Sequence, residues 1–217
     1  SRKGDRGRCL VVGGGPYHGA PILAGMAAAR SGCDLVSVAM PKHASNRVKW
    51  PNTLIPIELT DSDFLTNSSY DKIVDYILSN SIDSVVIGPG LGKNENTIDT
   101  CRKLLNFVAN NKIQTVVDAD AISALPPETW PDGMLGVTTP HKSEAKGWLS
   151  DTTTSQALSN TVEEEAVIIV TGPVDELTGP EGRYCYAKGG NPRMAVGGTG
   201  DLLAGLIGGL MAQGMNP

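Results

Sequence analysis

Short apolar runs rich in β-branched residues alternate along the chain with segments of helical periodicity. The runs have the length of strands and end at glycine or polar residues, as strands of a parallel sheet do when both faces are buried. They predict strands over 8–12, 34–40, 54–59, 84–87, 114–117, 134–138 and 166–170. The periodic segments predict helices over 21–31, 70–80, 94–110, 142–149 and 155–165. In the second of these helices the apolar face is expected to hold Ile73, Ile77 and Leu78.

Two further runs, 174–177 and 183–187, flank a turn that contains glycine and proline, and they predict a hairpin. The alternation of strands and helices predicts an α/β fold with a mostly parallel central sheet, helices on both faces and this hairpin in the C-terminal half. The sequence contains no repeat and no long linker. We therefore expect residues 1–217 to form a single domain.

The last predicted helix, 202–213, is apolar but interrupted by Gly205, Gly208 and Gly209. Each glycine inside a helix costs about 1 kcal/mol relative to alanine. Such a helix is stable only when it packs tightly against a sheet. This packing is expected to hold the N-terminus of the helix firmly in place.

The loop before this helix reads Gly197-Gly198-Thr199-Gly200-Asp201. A helix N-terminus presents unpaired N–H groups, and glycines let a phosphate approach them closely. Asp201 adds a carboxylate in the first turn, and attraction to the helix end is expected to lower its pKa. An anion cradle beside a base is what phosphoryl transfer to a hydroxyl requires.

Ligands of open parallel sheets bind at the carboxyl ends of the strands. Unusual segments follow five of the predicted elements there and are expected to meet at one rim: 13–20, 88–92, 118–120, 138–144 and 197–201.

Charge and composition exclude several classes of protein. The net charge of −5 gives no electrostatic footprint for nucleic acid. No apolar run is long enough to span a membrane and no leader is evident, which predicts a cytoplasmic protein. The cysteines are scattered and are expected to be free, buried thiols: Cys9, Cys33, Cys101 and Cys185.

Two common nucleotide motifs are also excluded. Gly92-Lys93 lacks the earlier glycine and the following hydroxyl residue of a P-loop. The first glycine-rich loop, 13–19, has the wrong spacing for a dinucleotide fingerprint, and no acidic residue ends the second strand.

Five motifs, in order, resemble the ADP/ATP-dependent NAD(P)H-hydrate dehydratase family of the ribokinase-like superfamily. They are the segment 14–36, Ile87-Gly88-Pro89-Gly90-Leu91-Gly92, Val117-Asp118-Ala119-Asp120-Ala121, Thr139-Pro140-His141-x-x-Glu144 and the segment 190–214. The resemblance implies a ribokinase-like three-layer sandwich. It also implies repair of hydrated NADH or NADPH: ADP or ATP phosphorylates the ring hydroxyl, and phosphate then leaves.

The resemblance assigns roles to individual residues. Asp201 would be the base, and Glu144 would help to place Mg²⁺ through water. The anion hole and nucleotide site would comprise Gly198, Thr199, Gly200, Thr171, Gly172, Asp175 and Asn191. The hydrate pocket would comprise Ala20, Tyr17, Gly90, Gly92 and His141 together with Asp201, while Asp118 and Asp120 would either support the site or cap the next segment.

The chain departs from the family pattern at two places. Thr171-Gly172 stands where the family usually has Lys-Gly, which removes a cation next to the nucleotide. Ser143 and Ala145 replace the usual glycine and phenylalanine around Glu144.

Two other functions are compatible with the same residues. A sugar or vitamin-precursor kinase of the same superfamily shares the anion hole and the base, and a nucleotide-binding regulator without turnover would account for Thr171. The resemblance further implies a homo-oligomer, and an epimerase partner, if there is one, would be a separate chain.

Overall fold

The computed structural model describes residues 6–126, 130–149 and 166–217. Its strands are β1 (Arg8–Val12), β2 (Leu35–Met40), β3 (Ile55–Glu58), β4 (Ser84–Ile87), β5 (Gln114–Val117), β6 (Gly136–Thr138), β7 (Ala166–Val170), β8 (Asp175–Thr178) and β9 (Tyr184–Ala187). Its α-helices are α1 (Ala20–Arg30), α2 (Lys42–Asn46), α3 (Tyr70–Ser79), α4 (Glu95–Asn110), α5 (Lys142–Leu149) and α6 (Thr199–Ala212). The helix predicted over 155–165 lies outside the described residues.

All strands of the described residues form one sheet in the order β3-β2-β1-β4-β5-β6-β7-β8-β9. The strands from β3 to β7 pair in parallel, and β8 and β9 add an antiparallel hairpin at one edge. Successive side chains of β1 point to opposite faces, so Leu10 and Val12 join one core while Cys9 and Val11 join the other. The predicted three-layer arrangement, with helices on both faces and a C-terminal hairpin, is confirmed.

One face of the sheet is covered by α3, α4 and α5 through large side chains. Ile73 and Ile77 of α3 and Leu104 and Leu105 of α4 are fully buried there. Leu78, which the sequence pattern placed on the same apolar face, is 58% exposed. Successive side chains of an α-helix are about 100° apart around the helix axis. Leu78 therefore points away from the sheet when Ile77 faces it.

The other face is covered by α1 and α6 through very small residues. A Cβ built on Gly208 lies 2.4 Å from the Val86 side chain, so α6 does pack directly on the sheet. A Cβ built on Gly205 lies 2.0 Å from the carbonyl of Ala24, and one on Gly209 lies 2.7 Å from that of Ala28. The sequence prediction was therefore incomplete, because two of the three glycines make room for α1 rather than for the sheet.

A side-chain hydrogen bond also anchors α6, since Ser84 Oγ donates to the carbonyl of Gly208 at 2.7 Å. Together with the close helix contacts, this bond fixes the direction of α6 and the place of its N-terminus.

Smaller differences from the predictions occur at the edges. Strand β6 begins at Gly136, not at residue 134. Cys9, Cys33 and Cys101 are buried free thiols, but Cys185 is exposed because β9 is the outermost strand. Within the described ranges, no helix is both long and apolar enough to cross a membrane.

Candidate active site

Loops that are distant in sequence meet at the carboxyl ends of the parallel strands. The Gly92 N–H donates to Asp120 Oδ2 at 2.7 Å, which ties the loop after β4 to the loop after β5. Thr139 Oγ1 donates to Asp118 Oδ1 at 2.7 Å, which ties the loop after β5 to the end of β6. The charge of Asp201, at the start of α6, acts on Asp118, and the charge of Asp120 acts on Asp201.

The predicted hydrate-binding residues of the first two loops lie together. Gly90 has φ +70°, and a Cβ built on it would lie 2.1 Å from the Tyr17 carbonyl and 3.2 Å from the Ala20 side chain. Gly92 has φ +78°, and its Cβ would lie 2.9 Å from the Pro16 ring. These two positions therefore need glycine both for their backbone conformation and for the approach of the first loop.

The first loop also has polar groups of its own. The Gly14 N–H donates to the Pro89 carbonyl at 2.8 Å, which is a second tie between the loops after β1 and β4. The Tyr17 side chain is 66% exposed and turned to the outside of the loop. His18 Nδ1 is buried and has no hydrogen-bond partner among the described residues.

The N-terminus of α6 has the form expected of an anion site. Gly198 is the N-cap with φ +95°, and a Cβ there would lie 2.5 Å from Leu23. A Cβ on Gly200 would have no atom within 4 Å, so open space surrounds this residue. The N–H groups of Gly200 and Asp201 precede the first possible intrahelical bond, and no acceptor in the described part of the chain pairs with them.

Thr199, predicted to line the anion hole, also makes hydrogen bonds within its own loop. Its hydroxyl donates to the carbonyls of Met194 and Val196, at 2.8 and 2.9 Å, and its N–H is turned to Val196 at 3.4 Å. The side chain thus holds the loop closed, while the N–H groups of Gly198, Gly200 and Asp201 have no acceptor among the described residues. The Asp201 N–H was not anticipated from the sequence.

The pKa of Asp201 corrects an expectation. The helix end was expected to lower it, but burial raises the pKa of the Asp201 carboxyl, and the charge of Asp120 raises it further. Interaction with a helix N-terminus contributes about 0.3–1 kcal/mol at ordinary sites, less than one pKa unit, so desolvation and a like charge outweigh it. A raised pKa makes Asp201 a stronger base.

Asp118 is the most deeply buried carboxyl group of the rim, only 4% exposed. Burial raises its pKa to about 6, and the charges of Asp201 and Glu144 act in the same direction. Hydrogen bonds from Thr139 and from the Ala119 N–H oppose the shift. Asp118 precedes the 3₁₀ helix Ala119–Ala124 but makes no side-chain cap, because its carboxyl group faces Thr139.

His141 and Glu144 form a reciprocal cap at the start of α5. The Glu144 N–H donates to His141 Nδ1 at 3.2 Å, and Glu144 Oε2 accepts from the His141 N–H at 3.0 Å. Ser143 Oγ lies 2.9 Å from the same Nδ1. Since a backbone N–H can only donate, Nδ1 accepts, and the neutral ring carries its proton on Nε2. That N–H lies 3.5 Å from Glu144 Oε1 and is available to a ligand.

A cleft of about 480 Å³ opens next to this cap. Its apolar lining includes Ile122, Leu125 and Trp148, and its polar lining includes Lys93 and His141. Asp201 is not among the residues that line the cleft. The sequence patterns did not anticipate it, because it lies between α4, α5 and the segment after β5.

The residues predicted to bind the nucleotide lie on the other side of the rim. The Thr171 N–H donates to the Pro140 carbonyl at 2.9 Å, joining the ends of β7 and β6. The Gly172 N–H donates to Asp175 Oδ1 at 2.9 Å. Asn191 Oδ1 accepts from the backbone N–H two residues later at 2.9 Å. The side chains of Asp175 and Asn191 therefore stabilise their own turns.

The segment around Asn191 lies close to the loop after β7, since a Cβ built on Gly190 would be 3.6 Å from the Pro173 carbonyl. Most residues from 183 to 197 are exposed. This part of the predicted nucleotide site is therefore more open than the part formed by the first loops.

The rim suits a hard cation. Mg²⁺ prefers oxygen ligands and is usually held by one or two carboxylates, waters and substrate phosphates. In the described residues no three His, Cys, Asp or Glu side chains are close enough to chelate a metal unaided. The charges of Asp201 and Glu144 nevertheless both act on Asp118. This arrangement fits a hydrated Mg²⁺ ion held through Glu144 and the phosphates of a nucleotide.

Comparison with known sequences identifies the family. The family model described as NAD(P)H-hydrate dehydratase matches residues 9–217. An ADP-dependent (S)-NAD(P)H-hydrate dehydratase of Nitrosopumilus maritimus is 38% identical over an alignment that covers 100% of this chain and 77% of the relative. A bifunctional NAD(P)H-hydrate repair enzyme of Hyperthermus butylicus is 34% identical over 100% of this chain. The chain spans 42% of the length of that bifunctional relative.

Solved structures agree on the fold. The ADP/ATP-dependent NAD(P)H-hydrate dehydratase of Bacillus subtilis, co-crystallised with ATP and Mg²⁺, superposes with a TM-score of 0.75 at 24% identity, covering 98% of this chain and 74% of that one. An Escherichia coli protein described as a ribokinase superposes with a TM-score of 0.54 at 11% identity, covering 97% of this chain and 94% of that one. The predicted ribokinase-like fold is thus confirmed. On the family match and these identities, the chain belongs to the NAD(P)H-hydrate dehydratase family.

Proposed function

We propose that this protein dehydrates hydrated NADH or NADPH at the expense of ADP or ATP. The observation that carries the proposal is the juxtaposition, at the start of α6, of the unpaired N–H groups of Gly200 and Asp201 with the Asp201 carboxylate. The related enzyme of N. maritimus is named as ADP-dependent, and that of B. subtilis was crystallised with ATP and Mg²⁺.

The chemistry starts at the hydroxyl group of the hydrated ring. As this oxygen attacks the terminal phosphorus of the nucleotide, Asp201 accepts its proton and the bond between that phosphorus and the bridging oxygen breaks. The N–H groups of Gly200 and Asp201 stabilise the negative charge on the transferred group. Phosphate then leaves with the electrons of the C–O bond, and loss of a proton from the adjacent carbon restores the double bond.

The raised pKa of Asp201 suits this role. Proton removal by a carboxylate is concerted with phosphoryl transfer, and a stronger base takes a larger share of the proton in the transition state. The two contributions to the shift, burial and the charge of Asp120, are both present before substrate binds.

The hydrate is expected to bind between the first loop and the end of β6. Ala20, Gly90 and Gly92 provide a backbone-lined wall, and His141 Nε2–H provides a donor. The cleft beside His141 has room for the part of the dinucleotide away from the ring. Tyr17 extends from the first loop and would cover the ring.

The nucleotide is expected to bind along the loops that contain Thr171, Gly172, Asp175 and Asn191, with its terminal phosphate at the start of α6. Thr199 would support this site by holding the loop closed. Mg²⁺, placed through Glu144, would supply positive charge that neutralises the phosphates.

A phosphate-release assay tests the proposal. Hydrated NADH or NADPH is incubated with ADP or ATP, and both phosphate and the reduced dinucleotide are measured. Phosphate release in proportion to recovery of reduced dinucleotide is expected. A stable phosphorylated product would instead indicate a small-molecule kinase, and tight nucleotide binding without phosphate release would indicate a regulator.

We further propose a single domain, an epimerase partner and a homo-oligomeric assembly. A single domain over residues 1–217 is supported by the one sheet that all described strands share. An epimerase partner is suggested by the bifunctional relatives, whose names describe a repair enzyme with two activities. Assembly into a homo-oligomer follows from the family resemblance alone.

A further inference from the structure

Lys142, the first residue of α5, lies beside the loop that follows β7. A parallel bridge pairs His141 with Thr171, so the next residues of the two segments, Lys142 and Gly172, are neighbours. A Cβ built on Gly172 would lie 3.5 Å from Lys142 Cε. Because Gly172 has no side chain, the stem of the lysine has room to lie along this loop.

No structural role accounts for a cation at this position. Lys142 is exposed, and no carboxylate of the described residues forms an ion pair with its ammonium group. It also stands at the N-terminus of its helix, where the helix dipole disfavours positive charge. Lys142 therefore makes α5 less stable rather than more stable.

The surroundings of Lys142 call for positive charge once a nucleotide is present. Glu144 follows Lys142 by two residues in the first turn of α5, and its charge also acts on Asp118. The loop at Gly172 is closed by Asp175, a further carboxylate. A bound ADP or ATP would add several negative charges to this region, and a lysine ammonium on a flexible stem is a common point-charge ligand for phosphate.

We propose that Lys142 binds the terminal phosphate groups of the nucleotide donor, reaching them across Gly172 from the end of β6. This inference rests on the proposed nucleotide site, and it adds a phosphate ligand from the neighbouring strand end. Lys142 would thus recognise the phosphates that ADP and ATP carry and AMP lacks.

Direct binding measurements test the inference without relying on turnover. Calorimetric titrations with ADP, ATP and AMP in the presence of Mg²⁺ compare the wild type with Lys142→Gln and with Lys146→Gln. Lys146 is a matched control, because it is also exposed and lies one turn further along α5. Loss of one charge-assisted contact predicts binding of ADP and ATP weakened about tenfold in Lys142→Gln. Binding of AMP is expected to change by less than about threefold, since the missing contact is to the phosphates that AMP lacks.

Two further measurements exclude an indirect effect. The Tm of Lys142→Gln is expected to equal or slightly exceed that of the wild type, because the substitution removes a cation from a helix N-terminus. Adding Thr171→Lys to Lys142→Gln places a cation on the adjacent strand end and is expected to restore part of the ADP and ATP affinity.

The outcomes separate this inference from the proposed function. A nucleotide affinity that depends on Lys142 supports the inference even if no hydrate is dehydrated. Unchanged ADP and ATP binding in Lys142→Gln overturns it, as does an equal loss in Lys146→Gln. An increase in the KM for the hydrate at unchanged nucleotide affinity also overturns it, because Lys142 would then belong to the substrate. A wild type that binds neither ADP nor ATP overturns both proposals.

Discussion

The proposed hydrate side and the proposed nucleotide side of the rim differ in how firmly the protein itself holds them. On the hydrate side, backbone contacts and a hydrogen bond of 2.7 Å lock the first loop, Gly90, Gly92 and Asp120 together. On the proposed nucleotide side, Asp175 and Asn191 stabilise their own turns, and a Cβ built on Gly200 would meet no atom within 4 Å. The hydrate side is thus organised before any ligand binds, whereas the nucleotide side depends more on its ligand.

This difference suits the proposed chemistry. The damaged ring must be oriented accurately toward Asp201, and a preformed wall provides that orientation. A nucleotide carries its own negative charges and Mg²⁺, which can order an open site through strong electrostatic contacts. Substitutions on the two sides should therefore have different consequences.

The largest effect is expected where the two sides meet, at Asp201. Asp201→Asn removes the base but keeps the size of the side chain and the helix N-terminus. Turnover measured by phosphate release should fall by roughly 10²–10⁴-fold, while nucleotide binding is retained. Asp99→Asn, on the exposed face of α4, is the control. Near-normal turnover of Asp201→Asn would remove Asp201 from the mechanism.

A clear effect is also expected from the preformed hydrate side. Gly90→Ala places a Cβ 2.1 Å from the Tyr17 carbonyl at a residue with φ +70°, so the first loop must shift. A displacement of about 1 Å can lower kcat/KM about 10²-fold, and we expect a loss of that order with the hydrate. Nucleotide affinity should stay close to that of the wild type.

The matched control for this substitution is Gly179→Ala, whose Cβ would have its nearest neighbour at 3.7 Å. It should leave both kinetic constants unchanged. If Gly90→Ala weakened nucleotide binding and hydrate turnover equally, the two sides of the rim would not be independent.

On the proposed nucleotide side, a substitution is expected to raise the KM for the nucleotide without lowering the stability of the protein. Gly200→Ala meets no protein atom within 4 Å, and alanine favours the helix by up to about 1 kcal/mol. The Tm should therefore stay the same or rise. The methyl group would occupy space through which the phosphate approaches, so the KM for the nucleotide should rise about tenfold. A Gly200→Ala variant with unchanged nucleotide KM would place the phosphate elsewhere.

The smallest effect concerns stability and pH. The folded-state pKa of Asp118 is raised from 3.8 to about 6, so between these values the folded protein binds a proton that the unfolded chain has released. Stability therefore falls as pH rises through this window, and the loss is complete above pH 6. A pKa unit corresponds to about 1.4 kcal/mol, which gives a loss of roughly 1–3 kcal/mol.

Asp118→Asn removes this titration. Relative to the wild type, its free energy of unfolding should increase by roughly 1–3 kcal/mol between pH 4 and pH 7.5. Urea denaturation in EDTA provides the measurement, since Mg²⁺ would otherwise neutralise the carboxylates. Parallel pH profiles of the two proteins would show that Asp118 titrates normally.

Local patterns predicted the fold well where a single segment carries the information. The run at β4, with the glycines that follow it, indicated both a buried strand and a ligand loop. The glycines of α6 indicated tight packing, but only the structure shows that Gly205 and Gly209 face α1 rather than the sheet. Glycines in one helix indicate that another element packs closely against it. They do not indicate whether that element is a helix or the sheet.

The candidate site was predicted less completely, for the same reason. The loop before Asp201 indicated this residue as the candidate base, but the predicted direction of its pKa shift was wrong. The pKa is raised by burial and by the charge of Asp120, and both depend on other parts of the chain. The place of Thr199 in the anion hole stays a prediction, and the sequence did not indicate that its hydroxyl donates to the carbonyls of its own loop. Lys142 was not considered at all, because its neighbour Gly172 is thirty residues away in sequence.

By itself, the sequence determined the order of strands and helices, the glycine-rich start of α6 and the acid within its first turn. These features follow from the periodicity and backbone preferences of short segments, which act over a few residues. The tertiary structure alone decided which carboxylates face Asp201, which N–H groups stay unpaired and which lysine lies beside Gly172. Burial and electrostatic interaction depend on distances through space, and those distances arise only when remote segments pack together.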